Sequence, residues 1–200
     1  MLLSAGRVDE AIDALKVATK LDPLSTRIAD NFALGLFCAG RLTEALAAYE
    51  QALVVQPGSL QALWQKAAVL HRLGRQDEAS AILRGIPVAE WPSLSTQATA
   101  VVSGGLLVEA VALLPRLDRR IQDLANFLGA LGRTEEALAA LNPETVESTA
   151  FQEWLFYPVF DPMRSDPRFA KFLATLGMTE AHARAQAWRA AHPPEKPASR

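Results

Sequence analysis

The sequence predicts an all-α solenoid of about five stacked helix pairs, closed at its C-terminal end by two or three further helices. Three observations carry this. A six-residue phrase recurs five times: GRVDEA from Gly6, GRLTEA from Gly40, GRQDEA from Gly74, GLLVEA from Gly105 and GRTEEA from Gly132. The intervals are 34, 34, 31 and 27 residues, the mark of a stacked array of supersecondary units. Alanines also stand at constant offsets from the glycines. Half of the 200 residues are hydrophobic, enough for a substantial core.

Within each unit the same physical roles return. Seven residues before the last four glycines lie Ala33, Ala67, Ala98 and Ala125; five residues after every glycine lie Ala11, Ala45, Ala79, Ala110 and Ala137. Small residues at such places let two helices cross closely. Four residues beyond the second alanine comes a bulky one, Leu15, Tyr49, Leu83, Leu114 or Leu141, on the same helical face. The glycine ends the first helix of a pair in a left-handed conformation. The acid before the second alanine falls in the first turn of the second helix, opposite the positive end of the dipole.

Taken in order, the first unit is incomplete. Gly6 closes a helix of which residues 1–5 supply about one turn, so the stretch reads as a fragment of a longer protein or as one whose start lies upstream. The second helices of the first two units stop at LDP and VQP, where Pro23 and Pro57 block continuation. The third unit departs at RGIPVAEWP, with Ile86 at a position otherwise held by a small residue. LLPRLDRR and LNPETVES imply clipped second helices in the fourth and fifth.

This pattern resembles the tetratricopeptide repeat, whose unit is 34 residues with small residues at the helix crossing and a closing proline. Residues 26–59 match best, through Ala33, Gly40, Ala45, Tyr49, Ala52 and Pro57. The resemblance covers residues 1–142 and implies a right-handed superhelix.

Residues 143–191 read as capping helices. Asn142 and Pro143 open a helix to about Phe156, loaded with Phe151, Trp154 and Leu155. In FDPMRSDPRF, Asp161 before Pro162 is expected to cap a single turn. Asp166 before Pro167 caps a helix ending at Gly177, with Phe169, Phe172, Leu173 and Leu176 as one stripe. A last helix runs from Thr179 or Glu180 to about Ala191. Residues 192–200, containing PPEKPASR, have the makeup of a disordered tail. The segment FDPMRSDPRFAKFLATLGM resembles the ending of bacterial tetratricopeptide proteins, notably winged-helix transcriptional regulators and class III adenylate cyclases. That resemblance implies an output domain elsewhere in a larger protein.

The chemistry-bearing residues do not assemble into a catalytic pattern. His71, His182 and His192 lack ligands at metal spacing, and no phosphate loop or nucleophile elbow occurs. SGGLL at 103–107 reads as a repeat turn rather than an anion nest. Asp9 with Glu10, Asp77 with Glu78 and Glu135 with Glu136 suit helix first turns. Cys38 is the only cysteine and reads as a packed thiol. The net charge of −2 gives no footprint for nucleic acid. No apolar run reaches the roughly 20 residues of a membrane span, and MLLSAGRVDEA lacks the basic start of a signal peptide. No enzyme activity, cofactor or metal is expected.

The tetratricopeptide resemblance implies that the first helices line a concave groove. On that register the lining is Arg27, Asp30, Leu34 and Phe37; Gln61, Trp64, Ala68 and His71; Ser95, Thr99 and Val102; and Arg119, Gln122, Asn126 and Gly129. Trp64 and Phe37 are the expected anchors. Leu34, Gln61 and Gln65 stand where chaperone-associated relatives carry carboxylate-gripping residues, so that clamp is not expected. The function implied is a non-catalytic protein–protein interaction or ligand-sensing module taking a protein or peptide in the groove, within a bacterial cytoplasmic regulator. The periplasm is the alternative location if a transmembrane segment precedes this stretch. A second reading is a self-associating scaffold, a homodimer or a chain whose groove is filled by its own tail. A third is the repeat domain of an adenylate cyclase.

Overall fold

The computed structural model describes residues 2–3, 5–117, 124–141 and 158–196. Among them there is no strand. The α-helices are α1 (Val8–Leu21), α2 (Thr26–Cys38), α3 (Leu42–Val55), α4 (Leu60–Arg72), α5 (Gln76–Arg84), α6 (Leu94–Ser103), α7 (Leu107–Leu113), α8 (Leu124–Ala130), α9 (Thr134–Ala139), α10 (Pro167–Thr175) and α11 (Thr179–Ala191). Short 3-10 turns cover Val88–Glu90, Leu114–Arg116 and Pro158–Met163. Antiparallel pairs α2/α3, α4/α5, α6/α7 and α8/α9 stack into an all-α, tetratricopeptide-like solenoid. Ahead of them α1 is the second helix of a unit introduced by a turn.

Each pair turns on its glycine. At Gly40 the amide donates to Phe37 O at 3.0 Å and the Arg41 amide to Leu36 O at 3.0 Å. This closure needs a left-handed residue, and all five repeat glycines have φ between 73° and 79°. The second helix then starts on a pairing that recurs. Arg41 Nε and Nη2 each donate to Glu44 at 2.6 Å. Arg75 does the same to Glu78 and Arg133 to Glu136, at 2.5–2.7 Å, and Arg7 pairs with Glu10. In the fourth unit Leu106 replaces the arginine, and Glu109 instead accepts from Arg84 of the unit before at 2.8 Å.

The nine crossing alanines are all buried, at 0–4% exposure. Between α3 and α4 the buried Tyr49 hydroxyl donates to Gln65 Oε1, satisfying two polar groups at once. Along the array the second helices shorten from 14, 14 and 9 residues to 7 and 6. The last pair offers less of its own apolar surface, and the C-terminal segment supplies the rest. Phe160, Met163, Phe169, Phe172 and Leu173 share one core with Ala125, Leu128, Ala137 and Leu138, extended by Met178, Ala181 and Ala185.

Asp161 differs from its expected role. It lies inside the 3-10 segment, not at its start, and accepts from Arg164 Nε at 2.8 Å. Asp166 caps α10 as an N-cap should, accepting from Arg168 N at 2.8 Å with Pro167 next. The helix expected over Pro143–Phe156 lies outside the described residues, as do residues 197–200.

After capping the last pair, the chain returns to its beginning. Arg184 Nε donates to Ala5 O at 3.0 Å and Trp188 Nε1 to Asp9 Oδ2 at 2.8 Å. The approach is close: a Cβ on Gly6 would stand 2.4 Å from Ala181 O. Residues 193–196 have no regular secondary structure, yet Glu195 is bound at the α2–α3 turn instead of hanging free. No helix among the described residues is long and apolar enough to cross a membrane.

Candidate binding surfaces

Two surfaces emerge from this architecture. The first is an apolar pocket of about 380 Å³ between α1 and α2, lined by Leu2, Leu3, Ala11, Ala14, Leu15, Ala18, Asn31 and Leu34. The repeat explains its place. One unit on, Ala45, Tyr49 and Ala52 are equivalent to Ala11, Leu15 and Ala18, and they are fully buried in packing that includes α2. In the first unit Leu2 and Leu3 approach the same face of α1, at the rim of the pocket.

The structure separates the residues expected to line the groove. Leu34 is half-buried in the pocket wall. Arg27 and Gln61 are exposed at equivalent places on α2 and α4. Asp30 is half-buried, and burial raises its carboxyl above the usual range. Its Oδ1 has no hydrogen-bond partner among the described residues. Trp64 is half-buried against the main core. Phe37, expected as an anchor, is only 7% exposed and belongs to that core. Ala68, Thr99 and Val102 are likewise buried. The reason is geometric: towards the end of a first helix the face beside the crossing alanine turns under the neighbouring pair.

His71 is engaged elsewhere. Its Nδ1 meets Gln76 Oε1 at 2.5 Å, while Gln76 Nε2 donates to Gly104 O at 3.0 Å. A Cβ on Gly105 would stand 2.4 Å from the imidazole. The ring therefore belongs to the joint between third and fourth units. Arg119 and Gln122 lie outside the described residues, as does the side chain of Asn126. Cys38 is buried. No group of three or more metal-ligating side chains occurs among the described residues.

The second surface is the edge formed by the turns within each pair. The residue three places after the repeat glycine takes the C-terminal segment in three units. Asp9 accepts from Trp188. Thr43 donates from its amide at 2.9 Å and its hydroxyl at 2.7 Å to Glu195 Oε2. Glu135 accepts from Arg168 at 2.8 and 2.9 Å, and that hydrogen-bonded guanidinium holds its carboxyl below the usual range. Behind this edge Arg164 is buried, its pKa pushed down to about 10 by desolvation, still cationic at neutral pH. Sequence periodicity missed the edge. Its one visible signal was Thr43, a hydroxyl where three other units carry Asp9, Asp77 and Glu135.

The tetratricopeptide repeat family model matches residues 31–94, covering the second and third units. Among solved structures, the chain is similar to YrrB, described as a tetratricopeptide repeat protein with an unusual peptide-binding site. The identity is 18% over 90% of this chain and 100% of that one, with a TM-score of 0.42. No curated protein matches.

Proposed function

We propose that the chain is a non-catalytic interaction module that takes a peptide or protein against its first helices. The observation that carries this is the exposed face of α2, where Arg27 and Asn31 are open to solvent and Leu34 is half-buried in the wall of the apolar pocket. Arg27, Asn31 and Leu34 follow at i, i+4 and i+7, so charge, amide and apolar group share one face of α2. On α4 Gln61 stands at the place of Arg27 and Trp64 at that of Asp30. Such a surface, apolar in the middle and polar at the rim, suits a side-chain anchor with flanking hydrogen bonds.

The test is a peptide array probed with the whole chain. Leu34→Asp should abolish capture, and Trp64→Ala should weaken it by roughly tenfold with the helical signal unchanged. Capture that is indifferent to Leu34→Asp, or no capture at all, would overturn this reading.

A self-associating scaffold is the second reading, favoured by the contacts of Trp188 and Arg184 with the first unit. The same contacts made between chains would join two copies. As to context, the FDPMRSDPRF ending supports a place in a larger bacterial regulatory protein of the cytoplasm, a transcriptional regulator ahead of an adenylate cyclase.

A further inference from the structure

We propose that the α2–α3 turn is a binding site for an extended Pro-Glu peptide, filled in cis by residues 193–195 until a partner peptide of the same chemistry displaces them. This goes beyond the interaction reading above and adds a separate site, on the turn edge rather than on the inner face.

The site is built from three elements. The first is a helix start with free donors. α3 is 14 residues long and its N-cap, Arg41, makes no side-chain cap, as at the other second helices described. The only first-turn acid of α3, Glu44, is held by Arg41. The Thr43 amide, an orphan donor of the helix start, is therefore left for an outside acceptor. Glu195 Oε2 fills that role, taking the amide and the hydroxyl of Thr43 together. The positive end of the helix dipole favours a carboxylate there.

The second element is a backbone contact that requires an extended ligand. The Glu195 amide donates to Gly40 O at 3.1 Å, so the peptide is read on both its main chain and its side chain. The third is a flat seat. A Cβ on Gly40 would lie 2.7 Å from Pro194 Cβ, so only the bare glycine admits the proline ring. Proline also limits the entropy lost by an extended peptide on docking.

The other turns lack this combination. Asp9, Asp77 and Glu135 stand where Thr43 stands and would repel an incoming carboxylate; Val108 offers no hydroxyl. Thr43 and Glu195 are both exposed, so the contact can open without unfolding a core. A tethered segment faces its own site at roughly millimolar effective concentration. A partner must bind more tightly than that, which makes the tail a threshold against weak ligands.

The experiment uses the full chain and a labelled Pro-Pro-Glu-Lys peptide, the sequence of residues 193–196, followed by fluorescence anisotropy. Glu195→Ala should bind the probe roughly tenfold more tightly than the wild-type chain, because the cis occupant has lost its charge-assisted bonds. Pro-Pro-Gln-Lys should fail on the same variant. Adding Thr43→Asp should abolish binding of the Glu probe; aspartate suits a helix first turn, so the fold is retained. Equal binding by wild type and Glu195→Ala, equal binding of the Glu and Gln probes, or no effect of Thr43→Asp would each overturn the proposal. Peptides that depend on Leu34 and Trp64 would still bind in that case, so the broader interaction reading fails or stands separately.

Discussion

The imidazole of His182 lies edge-on to Phe169, with ring centroids 5.8 Å apart at 68°. Burial lowers its pKa from 6.5, and the cations Arg164 and Arg189 lower it further. The unfolded chain therefore takes up a proton near pH 6.5 that the folded chain refuses. Stability contributed by this ring is full above that value and is lost as pH falls through the depressed folded value. Denaturant midpoints at about pH 7.5 and about pH 5.5 should differ less in His182→Asn than in the wild-type chain. An unaltered difference would mean that the ring titrates as in solvent. Single residues were also where the sequence was least legible. Phe37 and His71 share helical phase with Leu34, yet one is core and the other is tied to Gln76. Phase on one helix says nothing of what the next pair lays across it.

At the scale of the element, the repeat unit was legible almost throughout. The offsets of the crossing alanines from the glycine are set by local geometry: one closed helix, one left-handed residue, one turn into the next helix. Those alanines are accordingly buried in all five units, including the two that the clipped intervals shorten. The Arg–Glu pairing of the second helices was written in the recurring phrase but is read only when the arginine and the glutamate three residues on are seen to meet. The register has a direct consequence. Ala67 is fully buried where α4 crosses its neighbours. Ala67→Leu should overpack that crossing and cost about 1–3 kcal/mol, lowering the melting midpoint. An unchanged midpoint would place Ala67 on an open face and contradict the stacking described.

For the whole molecule, the decisive feature is that the C-terminal segment both caps the last pair and returns to the first two units. A repeat array touches only its neighbours and exposes a face at each end. Here one segment covers the last pair through α10 and α11 and reaches the first two units through Arg184, Trp188 and Glu195. The apolar stripe of Phe169, Phe172 and Leu173 made the capping half legible, since such a face must be covered. The return was not legible. Glu195 and Thr43 are separated by 152 positions, and no periodicity links residues so far apart. The most direct test places a photo-cross-linking amino acid at position 184 and maps its products by mass spectrometry. The closed architecture predicts cross-links to residues 5–9 of the same chain, recovered from monomeric protein. Cross-links found only between chains, or none to the first unit, would contradict it.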